Sequence, residues 1–447
     1  MPQHREHPPG SPPALPVAQR RGAGRQRIVV LSASVGAGHD GAADGLAARL
    51  AGHGFQVDRY DFLDLLPARA GKLLCGAYHR LLTRAPESYQ RLYQATERAA
   101  RPGAVWRALL RSAERRTLAA LPPDTTAVIS TYPGASQVLG ALRQRGLLTV
   151  PVFTYLTDFS VHALWIAPGV DAHLAVHPVP AAQAHAQGAA AVTVVGPVTD
   201  PRFSPATAGQ RAAARARFGL PDQAPLALLV AGSWGVGPVR QAAAEIQATG
   251  VAQPVVVCGR NRALAERVRQ DGVAHVFGWV DDMPGLMHAC DVLVQNAGGL
   301  TSLEAFAAGL PVASYRCIPG HGRTNAQALE EGGLAAWIRT PDELRPVLGE
   351  LLHGPRGQAQ RAAGIALHRA ACGPVPAITA RTGRRAAPPA PAPAPAARPA
   401  GRRRLVLAAA TTAVTVSLGV AAPLTYAYTK SPARFTTVAH YLDGDDR

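Results

Sequence analysis

The chain has 447 residues, 47% of them hydrophobic and 17% charged, and a formal net charge of +17. That length allows two or three compact units with buried cores, and that composition excludes a wholly disordered chain and a multi-span membrane protein. The charge invites a nucleic-acid or membrane-surface reading, but it is concentrated in the tails: residues 1–27 hold five Arg and one Glu, 375–404 hold seven Arg and no acid, and 405–447 are neutral. Only six of the seventeen charges remain on the body from Ile28 to Pro374, so no nucleic-acid partner is expected.

In chain order, residues 1–24 are rich in Pro, Gly and Arg without a hydrophobic period and read as a disordered tail. A first α/β unit is expected over 25–200. Strand-like runs fall at Arg27–Ala33, Phe55–Tyr60, Ala127–Thr131, Val150–Leu156 and Ala191–Val195, with helix-length segments between them. After Gly196-Pro197 the pattern restarts, and a second unit over 201–374 has strand-like runs at Leu226–Ala231, Pro254–Cys258, Val273–Phe277, Val292–Gln295 and Pro311–Tyr315. Such alternation predicts two parallel sheets, each covered on both faces, with a cleft between them.

Residues 375–401 read as a Pro/Ala-rich linker. In the segment 402–429, Arg402-Arg403-Arg404 precede Leu405–Tyr428, 24 residues without a charge, which predicts one transmembrane helix. The basic flank places the body on the cytoplasmic side of the cell membrane and 430–447 outside as a short tail. No signal-peptide pattern opens the chain. The five cysteines, odd in number and without CxxC spacing, read as reduced thiols, in keeping with that compartment.

Ligands of open parallel sheets sit at the carboxyl ends of strands, and the loops after the first strand of each unit are glycine-rich. The first, Ser34–Gly41, satisfies G-x-G-x-x-G through Gly36, Gly38 and Gly41, with Asp58 and Asp61 about twenty residues on, so an NAD-dependent oxidoreductase is one reading. The second, Gly232-Ser233-Trp234-Gly235-Val236-Gly237, leads into a helix near Pro238 and suits a phosphate. His173 and His177 have the spacing of a metal pair but no third ligand, and Asp443-Gly444-Asp445 lies in the tail, so no metal and no cofactor are expected.

Further along, Gly278–Met287 and Cys290–Ala305, continuing through Gly309-Leu310-Pro311 and Pro319-Gly320 to Asn325-Ala326, closely resemble the donor half of GT-B glycosyltransferases. In the first unit, Gly36–Ala42 and Leu156-Thr157-Asp158-Phe159 with His162, Trp165 and Asp171 resemble signatures of the family that holds monogalactosyldiacylglycerol synthase and the undecaprenyl-lipid N-acetylglucosaminyltransferase, a glycosyltransferase family 28-like group. The resemblance runs from about Arg27 to Pro374. It implies the GT-B fold, two Rossmann-like domains facing a cleft, the first for the acceptor and the second for the donor.

The resemblance implies an inverting transfer of a hexose from a UDP-sugar to a membrane lipid such as diacylglycerol. His39 is then the expected general base, with Asp158 its competitor or its orienting partner. Gly36, Gly38 and His162 fall in the acceptor loops. Gly232, Ser233, Gly235, Gly237, Val280, Met283, Gly298, Gly299, Leu300 and Thr301 are the expected UDP contacts, a helix N-terminus meeting the diphosphate. Glu304 is expected on the ribose, with a capping-box bond to Thr301 as the structural alternative. Gly320, His321 and Asn325 are expected at the sugar. There His321-Gly322 replaces the usual Gln-Glu, and Gln295-Asn296-Ala297 replaces Thr-Lys-Pro, which puts the donor sugar in question and keeps a non-catalytic sugar-nucleotide binder as an alternative. N-acetylglucosaminyl transfer to an undecaprenyl-linked precursor is the alternative within the family. Tyr78–Tyr93 mixes aromatics, Leu and Arg, as an acceptor-facing or interfacial segment would, or an amphipathic pair packed on the first sheet.

Overall fold

The computed structural model describes residues 25–98, 103–370 and 372–382. The first unit contains β1 (Arg27–Ser32), α1 (Ala37–Gly52), β2 (Gln56–Asp61), α2 (Phe62–Leu65), α3 (Ala70–Arg84), α4 (Pro86–Arg98), α5 (Ala104–Ala120), β3 (Thr125–Ser130), α6 (Pro133–Gln144), β4 (Val152–Tyr155), β5 (Ala172–Ala175), α7 (Pro178–Ala186) and β6 (Val192–Val194). The second contains α8 (Ala208–Phe218), β7 (Leu226–Val230), α9 (Val239–Thr249), β8 (Gln253–Val257), α10 (Arg262–Gln270), β9 (His275–Phe277), α11 (Met283–Ala289), β10 (Val292–Gln295), α12 (Leu300–Ala307), β11 (Val312–Tyr315), α13 (His321–Glu331), β12 (Ala336–Ile338), α14 (Pro341–His353) and α15 (Pro355–Ala370).

Each unit is one parallel six-stranded sheet, of order β2-β1-β3-β4-β5-β6 in the first and β12-β11-β10-β7-β8-β9 in the second. The central strands are continuous apolar runs, buried on both faces, because helices cover each side. Strand order reverses at β1/β3 in one sheet and at β7/β10 in the other, so the loops that open there are the natural binding positions.

Two expectations change, and a third falls outside the described residues. β5, Ala-His-Leu-Ala, and the three-residue β12 went unread, since neither is rich in β-branched residues. Residues 374–382 are not the start of a linker: α16 (Pro374–Thr382) carries Val375 and Ile378 back into the core shared with α1. The expected transmembrane segment lies outside the described residues, and among those described no helix is long and apolar enough to cross a membrane.

Both sheets use one device at the amino end of a strand. Asp171, just before β5, accepts the Val152 N–H at 2.8 Å and pairs with Arg143, which is 1% exposed, through Nε at 3.0 Å and Nη2 at 3.2 Å. Asp291, before β10, accepts the Leu226 N–H at 2.8 Å and pairs with buried Arg215 at 2.8 Å. Removing the anion from such a pair strands a buried cation, so Asp171→Ala is expected to cost about 3–5 kcal/mol in urea denaturation.

Candidate active site

The switch-point loops of the two sheets face each other across a cleft of about 1390 Å³. His39 lies in the first turn of α1, directly after the loop from β1. Its Nδ1 is 2.7 Å from the Thr131 carbonyl and 3.0 Å from Thr157 Oγ1. A carbonyl can only accept, so Nδ1 carries a proton, and in the neutral ring Nε2 has the lone pair, with no partner among the described residues. The rings of Tyr132 and Trp165 flank it, with centroids 5.4 and 6.0 Å away. Asp158 borders the same cleft but does not touch His39; it accepts the Trp165 indole N–H at 3.2 Å and the Asn325 amide at 3.4 Å. Thr131 and Thr157 therefore orient the imidazole, not Asp158.

His162 is buried with both ring nitrogens engaged. Nδ1 accepts the Leu164 N–H at 3.1 Å, and Nε2 meets Thr96 Oγ1 at 3.0 Å and the Tyr93 carbonyl at 3.3 Å. Burial lowers its pKa. It orders a loop and offers nothing to a ligand. His173 is buried within β5, while His177 caps α7.

The dinucleotide reading does not fit this geometry. Asp58 is paired with Arg27, and Asp61 caps α2 through the Leu63 N–H at 2.8 Å, so no carboxylate waits for a ribose there. A Cβ on Gly41 would meet Leu300 Cδ2 of the other unit, so the helix packs across the cleft where a dinucleotide would run.

On the opposite wall, Gly232, Ser233, Val280, Met283, Gly298, Gly299, Leu300, Thr301 and Glu304 border the cleft. Gly235 and Gly237 do not; they shape the loop beneath. Gly298 has φ 74°, and a Cβ there would lie 2.6 Å from Asn325 Cβ, so this turn into α12 admits only glycine. The N-cap of α12 is Gly299, which has no side-chain cap bond. Thr301 is thus already inside the helix, and the capping-box bond to Glu304 is not formed. Glu304 has no hydrogen-bond or ion-pair partner among the described residues, and burial, reinforced by Asp200, raises its pKa to about 7.

The structure adds Arg260, which the sequence motifs passed over, and sets it on Trp279 of the Gly278–Met287 motif. The Arg260 guanidinium lies 4.1 Å over the Trp279 ring, both border the cleft beside Val280, and Arg260 has no carboxylate partner among the described residues. Arg260 belongs to no fixed pattern; only its position after β8, at the sheet's carboxyl edge, could have marked it.

The expected sugar contacts divide. His321 borders the cleft, its Nδ1 3.1 Å from the Tyr89 hydroxyl of the first unit; burial lowers its pKa against the opposing pull of Asp158. The Gly320 N–H donates to Gln90 Oε1 at 2.7 Å. Asn325 is 0% exposed and does not reach the cleft: Oδ1 accepts the Ser160 N–H at 2.7 Å and Oγ–H at 2.9 Å, and Nδ2 donates to the Ala297 carbonyl at 2.9 Å. It joins the two units and has no group left for a sugar. Gly322 admits no side chain, since a Cβ would lie 2.6 Å from Ile318 Cγ1 and 2.7 Å from the Asn296 carbonyl. Tyr78–Tyr93 likewise neither faces outward nor packs on the first sheet with its aromatics. Tyr89 and Tyr93 cluster with Val236 and Ile318 of the second unit, and the Tyr78 ring lies 5.9 Å from Trp234.

Residues 39–197 match the family of monogalactosyldiacylglycerol (MGDG) synthases, and residues 230–352 match glycosyl transferases group 1. The whole fold is similar to MurG of Acinetobacter baumannii (17% identity, 80% of this chain and 100% of that one, TM-score 0.51). It is also similar to SsfS6, a Streptomyces sp. SF2575 glycosyltransferase (15%, 80% and 99%, TM-score 0.53). The chain thus has the GT-B fold, and its first unit is similar to the MGDG synthases. Processive diacylglycerol beta-glucosyltransferases are similar over roughly half this chain: that of Bacillus mycoides (strain KBAB4) is 30% identical over 229 residues, 48% of this chain and 57% of its own length. That of Bacillus cereus (strain AH187) is 29% identical over 239 residues, 51% and 59%.

Two outcomes follow. A carboxyl whose folded pKa is raised keeps its proton where the unfolded one has lost it, so the fold is penalised increasingly as pH rises from about 4.5 to about 7, and constantly above. Glu304→Gln removes that penalty and is expected to raise Tm on the order of 5 °C at pH 8 but little at pH 4.5, read by calorimetry. Restoring a side chain in Gly322→Glu is expected to lower Tm by a similar amount, with no gain in donor affinity by titration calorimetry.

Proposed function

We propose that the chain is an inverting glycosyltransferase that moves a hexose from a UDP-sugar to the hydroxyl of a membrane lipid, diacylglycerol being the acceptor that the relatives' names suggest. The observation that carries this reading is the pairing, across one cleft, of an imidazole in its base tautomer with an uncapped helix N-terminus.

In this reading the UDP diphosphate rests on the N–H groups of Gly299, Leu300 and Thr301, where the α12 dipole steadies the charge of the leaving group. Glu304 takes the ribose hydroxyls. Trp279, Val280 and Met283 hold the base, with Arg260 as the cation the Gln295-Asn296-Ala297 segment does not supply. That segment is structural here: Gln295 accepts the Ala297 N–H at 2.7 Å, and Asn296 donates to the Val236 carbonyl at 2.8 Å. His39 Nε2 removes the acceptor's proton from the first unit while UDP departs on the second, which inverts the anomeric centre. His321, steadied by Tyr89, reads the sugar.

The lipid acceptor has separate support. Along α3 and its cap, Arg69, Lys72, Arg80 and Arg84 are exposed without carboxylate partners among the described residues, around Leu73, which is 63% exposed. Each such charge contributes about 1 kcal/mol at an anionic leaflet. Membrane contact is thus proposed through this face, and a membrane-spanning tether through 405–428 remains a proposal from the sequence.

Release of UDP from a panel of UDP-sugars, with and without diacylglycerol vesicles, tests the reading; lipid-dependent release supports it, and zero turnover throughout contradicts it. Relative to wild type, His39→Ala is expected to lower kcat about 10²–10⁴-fold with little change in UDP affinity. UDP affinity itself is expected to rise with pH through about 7 as Glu304 ionises, and this dependence is expected to flatten in Glu304→Gln.

A further inference from the structure

The cleft is larger than one donor requires: single-ligand sites span about 300–1,000 Å³, and this one reaches about 1390 Å³. Part of it extends into the first unit. There the cavity is bordered by Leu74 and Leu82 of α3, Leu92 of α4, Trp106 of α5, Tyr132 before α6, and Leu164. Leu74, Leu82, Leu92 and Trp106 are each at most 8% exposed, so the space runs between helices and is not a groove laid on their surface.

We infer that this lobe is a chamber for one hydrocarbon chain of a glycerolipid, which draws the acceptor out of the bilayer and sets its free hydroxyl beside His39. The inference rests on the lipid-acceptor reading above and adds where and how the chain is held.

Three observations carry it. Among the described side chains, no Arg, Lys, Asp or Glu of α3, α4, α5 or α6 borders the lobe. The polar groups that do are engaged with protein: Gln137 Nε2 donates to the carbonyls of Leu164 at 2.9 Å and Ile166 at 3.1 Å, Thr96 Oγ–H donates to the Tyr93 carbonyl at 2.9 Å, and both His162 nitrogens are bonded. Such a wall has little to offer a sugar or a peptide and suits an alkyl chain. Two donors are exceptions: the Tyr132 hydroxyl has no hydrogen-bond partner among the described residues, and Trp106, 6% exposed, holds its Nε1–H buried without one. A buried donor left unpaired is costly, and an ester carbonyl at the head of an acyl chain is an acceptor that arrives together with hydrocarbon. Tyr132 borders the lobe and its ring flanks His39, so a chain seated inside would leave the glycerol hydroxyl at the imidazole. The helix α3 links bilayer and chamber, since its exposed side carries the unpaired cations and Leu73 while Leu74 and Leu82 face the lobe.

The direct test is fluorescence quenching of the full chain by diacylglycerol bearing a mid-chain doxyl group, in vesicles of phosphatidylglycerol and phosphatidylcholine. The Trp106 contribution is the difference between wild type and Trp106→Phe. We expect saturable quenching of that contribution, relieved by unlabelled dioleoylglycerol and not by dibutyrylglycerol. A second variant, Leu92→Phe, narrows the lobe and is expected to lower kcat/KM for dioleoylglycerol at least tenfold, and less for dibutyrylglycerol, with UDP affinity retained as a check on folding. Absence of Trp106-dependent quenching would overturn the chamber even if sugar transfer to diacylglycerol is measured. Quenching without any transfer would instead count against the acceptor reading and leave the chamber supported.

Discussion

The architecture depends on one buried amide. Asn325 sits where the two units meet, accepting both donors of Ser160 and donating to the Ala297 carbonyl, with Asp158 at the edge of its reach. A fully buried polar side chain is tolerated only when its bonds are made, and these partners come from both units. Thr324, beside it, adds bonds to Ser160 Oγ at 2.8 Å and the Tyr93 hydroxyl at 3.2 Å. The result is a single register between the sheets, in which the two switch points look at each other. Gly298 belongs to the same constraint, because its missing Cβ makes room for Asn325 and frees the chain to turn into α12.

That register divides the chemistry between walls. The first unit presents an imidazole held by Thr131 and Thr157; the second presents a helix start with no side-chain cap. Proton removal and leaving-group stabilisation in the proposed reaction are thus built on different sheets, and neither unit has both. Glu304 shows the tension this creates. Its carboxyl, unpartnered and pushed up to about 7 by burial, is unfavourable for the empty protein and suited to a ligand that brings hydroxyl donors.

Much of this was legible in the residues. Central strands of a doubly covered sheet are continuous apolar runs, which is why β1, β7 and β10 could be read, and the glycine loops after β1 and β10 mark the positions of His39 and the α12 turn. What could not be read were contacts between distant segments. The spacing of Tyr78, Tyr89 and Tyr93 shows that a helix face is buried but not against what, and the answer is the second unit's Trp234, Val236 and Ile318. The resemblance puts Asn325 at the sugar, yet its partner Ser160 lies 165 residues away. Gly322 looked like a lost side chain, whereas the Asn296 carbonyl occupies the space that a side chain would need. Short β5 and β12 were missed because pairing with neighbours, not intrinsic preference, makes them strands.

The central claim is that base and leaving group act from opposite walls in one displacement. It is tested most directly by the stereochemistry of the product formed from an α-linked UDP-hexose and diacylglycerol, read from the anomeric proton coupling in NMR. The account predicts the β-glycoside as the initial product. An α-glycoside formed from the first turnover would contradict it, since retention needs a second displacement or a same-face attack that this division of groups does not provide.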